Sequence, residues 1–160
     1  MQKVTVMCVG KLKEKFHAQA AAEYVKRLSR FCSLEILELA EERLPENPSP
    51  AQINAALARE AAAIRGKLPL SASVVALCVE GTPRSSEELA RWMADQASHG
   101  EKQVVFLIGG SFGLHDSIKS AAQVRLSMSP MTFPHHLARV MLLEQIYRAY
   151  QINAGTKYHK

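Results

Sequence analysis

Ser111 stands inside Gly109-Gly110-Ser111-Phe112-Gly113, a G-x-S-x-G pattern that follows an apolar run from Val104 to Ile108. A serine on such a strand-to-helix turn can act as an acyl-transfer nucleophile, given an acid on a later strand and a histidine beyond it. The near candidates, Asp116 and His135, lie too close to Ser111 in sequence for that layout. The glycines have a second use. Lacking a Cβ, they admit backbone close to a ligand and tolerate positive φ at no cost. Further on, Met128-Ser129-Pro130-Met131-Thr132-Phe133-Pro134 forms a loop framed by two prolines. Prolines fix φ and restrict the preceding residue, so this loop has few conformations to lose on binding. Two stiff loops at strand ends read as the walls of a small-molecule site. His135-His136 opens the final helix against the second loop, as a cap or as a functional pair. Glu144 and Arg148 stand four apart on that helix and can pair along one face, which at a surface contributes only about 0.3–0.5 kcal/mol.

Other chemistries are disfavoured by what is missing. No G-x-x-x-x-G-K-[ST] loop and no G-x-G-x-x-G after the first strand is present, which argues against nucleoside triphosphates and dinucleotides. Neither C-x-x-C nor H-E-x-x-H occurs, so no metal is expected. Cys8 and Cys78 lie in apolar strand-like runs, where a thiol acts as a small buried hydrophobe, and Cys32 is the odd third. His17, His99 and His115 are isolated and read as solvated or capping. No apolar run reaches the ~18 residues that span a membrane, and the short apolar start followed by charge is no signal peptide. A reduced, cytoplasmic protein is expected. The net charge of +5 and the pI of about 9.2 fit an anionic partner.

The elements that must position these residues alternate. Lys3–Val9 reads as a strand, 14–29 as an amphipathic helix and 34–39 as a second strand. A polar, proline-rich loop follows and is expected to be mobile. Ser49, Pro50 and Gln52 form a capping box with proline at the first helical position, and the helix should run to about Arg65 with Gly66 ending it. Ser73–Val79 is apolar on both faces, as a central parallel strand requires. A turn at Glu80-Gly81-Thr82-Pro83 then leads to a second box, Ser85 to Glu88, and a helix to about Ser98. Val104–Ile108, a short helix after Asp116, a strand near Val124–Met128 and a helix from about His136 to Asn153 complete the pattern. At 160 residues this is one α/β domain, 1–160, with a mainly parallel sheet flanked by helices. Ligands in such sheets bind outside the carboxyl ends of the strands. The last helix is apolar around most of its circumference, which fits burial against its own domain on one side and a second subunit on the other, or else a central core helix in a monomer.

Val9-Gly10-Lys11-Leu12-Lys13, Ile108 to Leu114, Leu126 to His135, Arg139, Glu144-Gln145-Ile146-Tyr147-Arg148-Ala149 and Tyr158-His159-Lys160 together resemble the ribosomal large-subunit methyltransferase H family, from end to end. The resemblance implies a SPOUT-type fold with a C-terminal trefoil knot, a homodimer formed through the C-terminal helix, and methyl transfer from S-adenosylmethionine to N3 of a pseudouridine in 23S ribosomal RNA on the ribosome. It implies that Leu77, Gly109, Met128, Ser129, Pro130, Met131, Thr132 and Phe133 hold the cofactor. Tyr158 and His159 match the family's functional tail, and an imidazole titrates where a base near neutrality must. Arg148 and His135 would orient the pyrimidine or offset charge on its oxygens. Lys11, Lys13, Lys15, Arg139 and Lys160 would meet RNA phosphates. A different class remains open at this point: a basic RNA- or ribosome-binding module without catalysis, which explains the charge but not the glycine and proline loops.

Overall fold

The computed structural model describes residues 1–100 and 103–160. Five strands form one sheet: β1 (Gln2–Val9), β2 (Cys32–Leu39), β3 (Ser73–Pro83), β4 (Gln103–Ile108) and β5 (Val124–Ser127). Their order is β2-β1-β4-β3-β5, and every pairing is parallel. Both faces must therefore be covered. Helices α1 (Lys15–Leu28), α3 (Ser86–Ser98) and α5 (His135–Asn153) cover one face, over Val4, Val6, Cys8, Val104, Phe106 and Ile108. Helices α2 (Pro50–Lys67) and α4 (Asp116–Ala121) cover the other, over Met7, Val9, Val105 and Leu107. The strands β1 and β4 are buried on both faces, which is why their sequences run apolar without alternation.

Both capping boxes form as the sequence dictates: Ser49 with Gln52 opens α2, and Ser85 with Glu88 opens α3. Two expectations change. Gly66 does not end α2, which continues to Lys67; the stop is Pro69, whose ring forces Leu68 out of helical geometry. The turn expected at Glu80–Pro83 is a bulge inside a longer strand. Leu77 and Thr82 both pair with Leu126, so Cys78–Gly81 loop outward before pairing resumes. Much of the apolar girth of α5 is covered within the chain, because α5 packs on the sheet between α1 and α3. Leu137 is the large apolar residue it leaves exposed, with Val140 and Met141 half-buried.

Candidate active site

A cavity of about 760 Å3 opens at the carboxyl ends of β3, β4 and β5, the place a parallel sheet favours for a ligand. Leu77, Gly109, Met128, Ser129, Met131, Thr132 and Phe133 line it; Pro130 does not, and points to solvent as a frame of the loop. The bulge in β3 brings Cys78, Val79 and Glu80 into one wall. The proline loop is held by its serines: Ser127 Oγ donates to the Ser129 carbonyl at 3.1 Å, and Ser129 Oγ accepts from the Met131 N–H at 2.9 Å.

The glycine wall owes its shape to its own turn. A Cβ on Gly109 would lie 2.3 Å from the Gly113 carbonyl carbon, and the Gly113 N–H donates to the Gly110 carbonyl at 3.1 Å. Gly113 itself holds φ at +78°. Gly109 is thus demanded by the close approach of Gly113, a different reason from the ligand approach expected. The acyl-transfer layout is not assembled at Ser111: its side chain is exposed, and His115 is committed to capping α4.

Sequence reasoning missed Glu41. From the loop after β2, which is anchored rather than free, its Oε1 accepts the Ser111 N–H at 2.9 Å. A Cβ on Gly110 would meet that same oxygen at 2.6 Å. Above Gly10, a Cβ would stand 3.4 Å from His135 Cε1 and 3.6 Å from Glu41 Oε2. Glu41 and His135 therefore meet over Gly10 at the end of β1, where His135 lines the cavity and Glu41 stands behind its glycine wall. Partial burial pushes the Glu41 carboxyl up, but the Ser111 hydrogen bonds, His135 and Lys13 outweigh it and leave its pKa below the usual range. Burial, reinforced by His136, lowers the pKa of His135, with Glu41 opposing; the ring is neutral at pH 7.

The other proposed catalytic side chains gather elsewhere. Arg148 donates through Nε (2.9 Å) and Nη2 (2.6 Å) to Glu144 Oε1, and through Nη1 to His159 Nδ1 at 3.1 Å. Because arginine only donates, His159 Nδ1 accepts, and its Nε2–H donates to Glu87 at 2.7 Å. Tyr158 lies under the guanidinium, 4.8 Å from ring centre to Cζ, and donates to Glu144 at 3.1 Å. Burial and then Glu144 raise the Tyr158 pKa. The tail is docked rather than frayed. It does not line the cavity of its own chain: Arg148 is thirteen helical steps beyond His135, about 20 Å at 1.5 Å per residue.

Of the proposed phosphate contacts, Lys11, Lys13, Lys15 and Lys160 are exposed. Arg139 is a correction. Its residue is 3% exposed, and its guanidinium is consumed by Glu38 at 2.8 Å and the Gly10 carbonyl at 3.1 Å. It braces the end of β1. His17 also proves less isolated than its sequence context, with its ring 6.1 Å from that of His136.

The chain matches the family model described as "Predicted SPOUT methyltransferase" over residues 2–159. It belongs to the SPOUT methyltransferase family. A protein of Clostridioides difficile (strain 630) named "Ribosomal RNA large subunit methyltransferase H" is 47% identical over 98% of this chain and 99% of its own length. A protein of the same name from Bifidobacterium adolescentis is 48% identical over 99% of both chains. One from Streptococcus uberis is 44% identical over the same share of each. Within the SPOUT methyltransferases, this chain groups with those proteins, as its glycine, proline and tail motifs led one to expect. Among the described residues of this SPOUT member, no group of His, Cys, Asp or Glu is placed to hold a metal. No helix is long and apolar enough to cross a membrane.

Proposed function

We propose that this chain methylates N3 of a pseudouridine in 23S ribosomal RNA on the ribosome, in the cytoplasm, using S-adenosylmethionine and working as a homodimer through α5. The observation that carries the reading is the cavity whose walls are Leu77, the Gly109 turn and the Met128–Phe133 loop. It occurs in a chain nearly half identical, end to end, to proteins named as ribosomal RNA methyltransferases. The donor set suits the cofactor. Apolar side chains (Leu77, Leu126, Met128, Phe133) offer faces for adenine, and the strand-end backbone offers polar edges. A trefoil knot in the C-terminal part accompanies this reading, supported by the SPOUT membership.

When bound, the cofactor supplies an electrophilic methyl on a sulfonium. The residues must align the attacking nitrogen with that methyl, take up the imide proton and exclude water. His135, neutral on the β1 flank, is placed to orient the pyrimidine or receive a hydrogen bond from it. His159 has its lone pair committed to Arg148, so a role as base requires that contact to open. Since the tail lies about 20 Å along α5 from His135, a second copy paired through α5 is the source of Arg148, Tyr158 and His159 for each cavity. The exposed Leu137 and half-buried Met141 support α5 as the meeting face. The test is mass mapping of modified nucleosides after ribosomes lacking the modification are incubated with protein and labelled cofactor. One methylated pseudouridine in 23S RNA is expected; its absence alongside measurable RNA binding would instead favour a non-catalytic binding module.

A further inference from the structure

Among the described residues lining the cavity, Lys119 is the one lysine or arginine and Glu80 the one carboxylate. They face each other. The Lys119 ammonium contacts Glu80 Oε1 directly and lies 3.3 Å from an Asp116 oxygen. Glu80 is carried there by the outward bulge of β3, beside β5, while His135 and Glu41 stand over Gly10 at the end of β1. With β4 between β1 and β3 in the sheet, the charged pair and the histidine occupy opposite flanks of one cavity. Lys119 is four-fifths buried at its side chain and Glu80 is more than half exposed. With the carboxylate of the pair largely in solvent, little holds it to one partner, and it can exchange partners readily.

We propose that Glu80 and Lys119 form the subsite for the amino-acid end of the cofactor. That end is a zwitterion: an α-ammonium and an α-carboxylate on one carbon. A carboxylate and an ammonium side by side complement it, Glu80 receiving the ammonium and Lys119 the carboxylate. Without the cofactor each neutralises the other, with Asp116 as a second anchor for Lys119. The charge of Arg125 also bears on Glu80 and offsets the second carboxylate, Asp116. The apolar walls at Leu77, Leu126 and Phe133 are left for adenine. The sulfur then lies between the two flanks, and the RNA base must enter from the β1 side, where Lys11, Lys13 and Lys15 are exposed. This orientation rests on the cofactor reading above and extends it.

Two nucleosides separate the subsite from the rest of the cavity. S-adenosylhomocysteine carries the amino-acid end; 5′-methylthioadenosine keeps the adenosine and sulfur but lacks it. Titration calorimetry on the whole protein should show the first binding at least tenfold more tightly than the second. Lys119→Met and Glu80→Gln should each weaken S-adenosylhomocysteine about tenfold, the worth of a lost charged hydrogen bond, and leave methylthioadenosine within about twofold. Equal weakening of both nucleosides would mean that the pair only holds the bulge in shape, and overturns the proposal. So does unchanged affinity for both in the two variants. If the unmodified protein binds neither nucleoside, the cofactor reading itself fails, a distinct result that removes the basis for the subsite.

Discussion

Glu41 is held ionised on the rim of the cavity by contacts that its neighbours in sequence do not provide. Its carboxyl titrates below the usual range, whereas in the unfolded chain a glutamate titrates near about 4.3. The stability this difference supplies is full above that unfolded value and is lost as pH falls through the lower folded one. Guanidinium unfolding at stepped pH should therefore show the native protein losing stability on acidification more steeply than Glu41→Gln, whose amide oxygen still accepts the Ser111 N–H. Equal slopes would contradict it. Glu41→Ala loses the acceptor as well and should loosen cofactor binding several-fold through the Ser111 turn. At Arg139 the expectation concerns folding rather than RNA. Arg139→Met strands Glu38 and the Gly10 carbonyl, and because Glu38 is partly exposed the cost should be roughly 2–3 kcal/mol in chemical denaturation. The salt dependence of RNA binding by the refolded variant should not move.

The helices and strands tolerate change unevenly, and the glycines show where. Gly66 lies in the second-last position of α2 with open space where a Cβ would go, so Gly66→Ala should stabilise the protein by about 0.5–1 kcal/mol. A rise in the thermal midpoint checks this; a fall would mean that the helix end is not as described. Gly109→Ala should do the opposite, abolishing cofactor binding in calorimetry by driving Gly113 away. Local signals made much of this legible beforehand. Ser49 with Gln52 and Ser85 with Glu88 are contacts over three residues, and the apolar runs of β1 and β4 announce their two-sided burial. The β3 bulge was not legible, because it is set by pairing to Leu126, far along the chain. Glu41 was hidden for the same reason: its partner Ser111 is 70 residues away. The tail motif was visible by resemblance, but its docking on Glu144 and Glu87 depends on where α3 lies against α5.

For the whole molecule, the charge distribution and the split between cavity and tail make the sharpest demands. Exposed lysines at Lys11, Lys13 and Lys15 predict RNA affinity that falls with salt, and replacing one with glutamine should lower the slope of log K against log salt by roughly 0.7–0.9. If two copies share their parts, a mixture of His159→Ala and Gly109→Ala proteins, each inactive alone, should recover methylation in single-turnover assays. No recovery despite demonstrated mixed dimers would place the tail and cavity functions on one chain. The strand order has a consequence for synthesis. The strand β1 is made first, yet it lies between β2 and β4, and β4 begins at Gln103. At a translation rate of about 5–20 residues per second, the wait is on the order of 5–20 s. Throughout it, Val4, Val6 and Cys8 have at most one neighbouring strand, β2, and no α5 above them. The nascent chain thus presents a strand destined for two-sided burial while its partners are still being translated, and a chaperone that recognises extended apolar segments would meet β1 first.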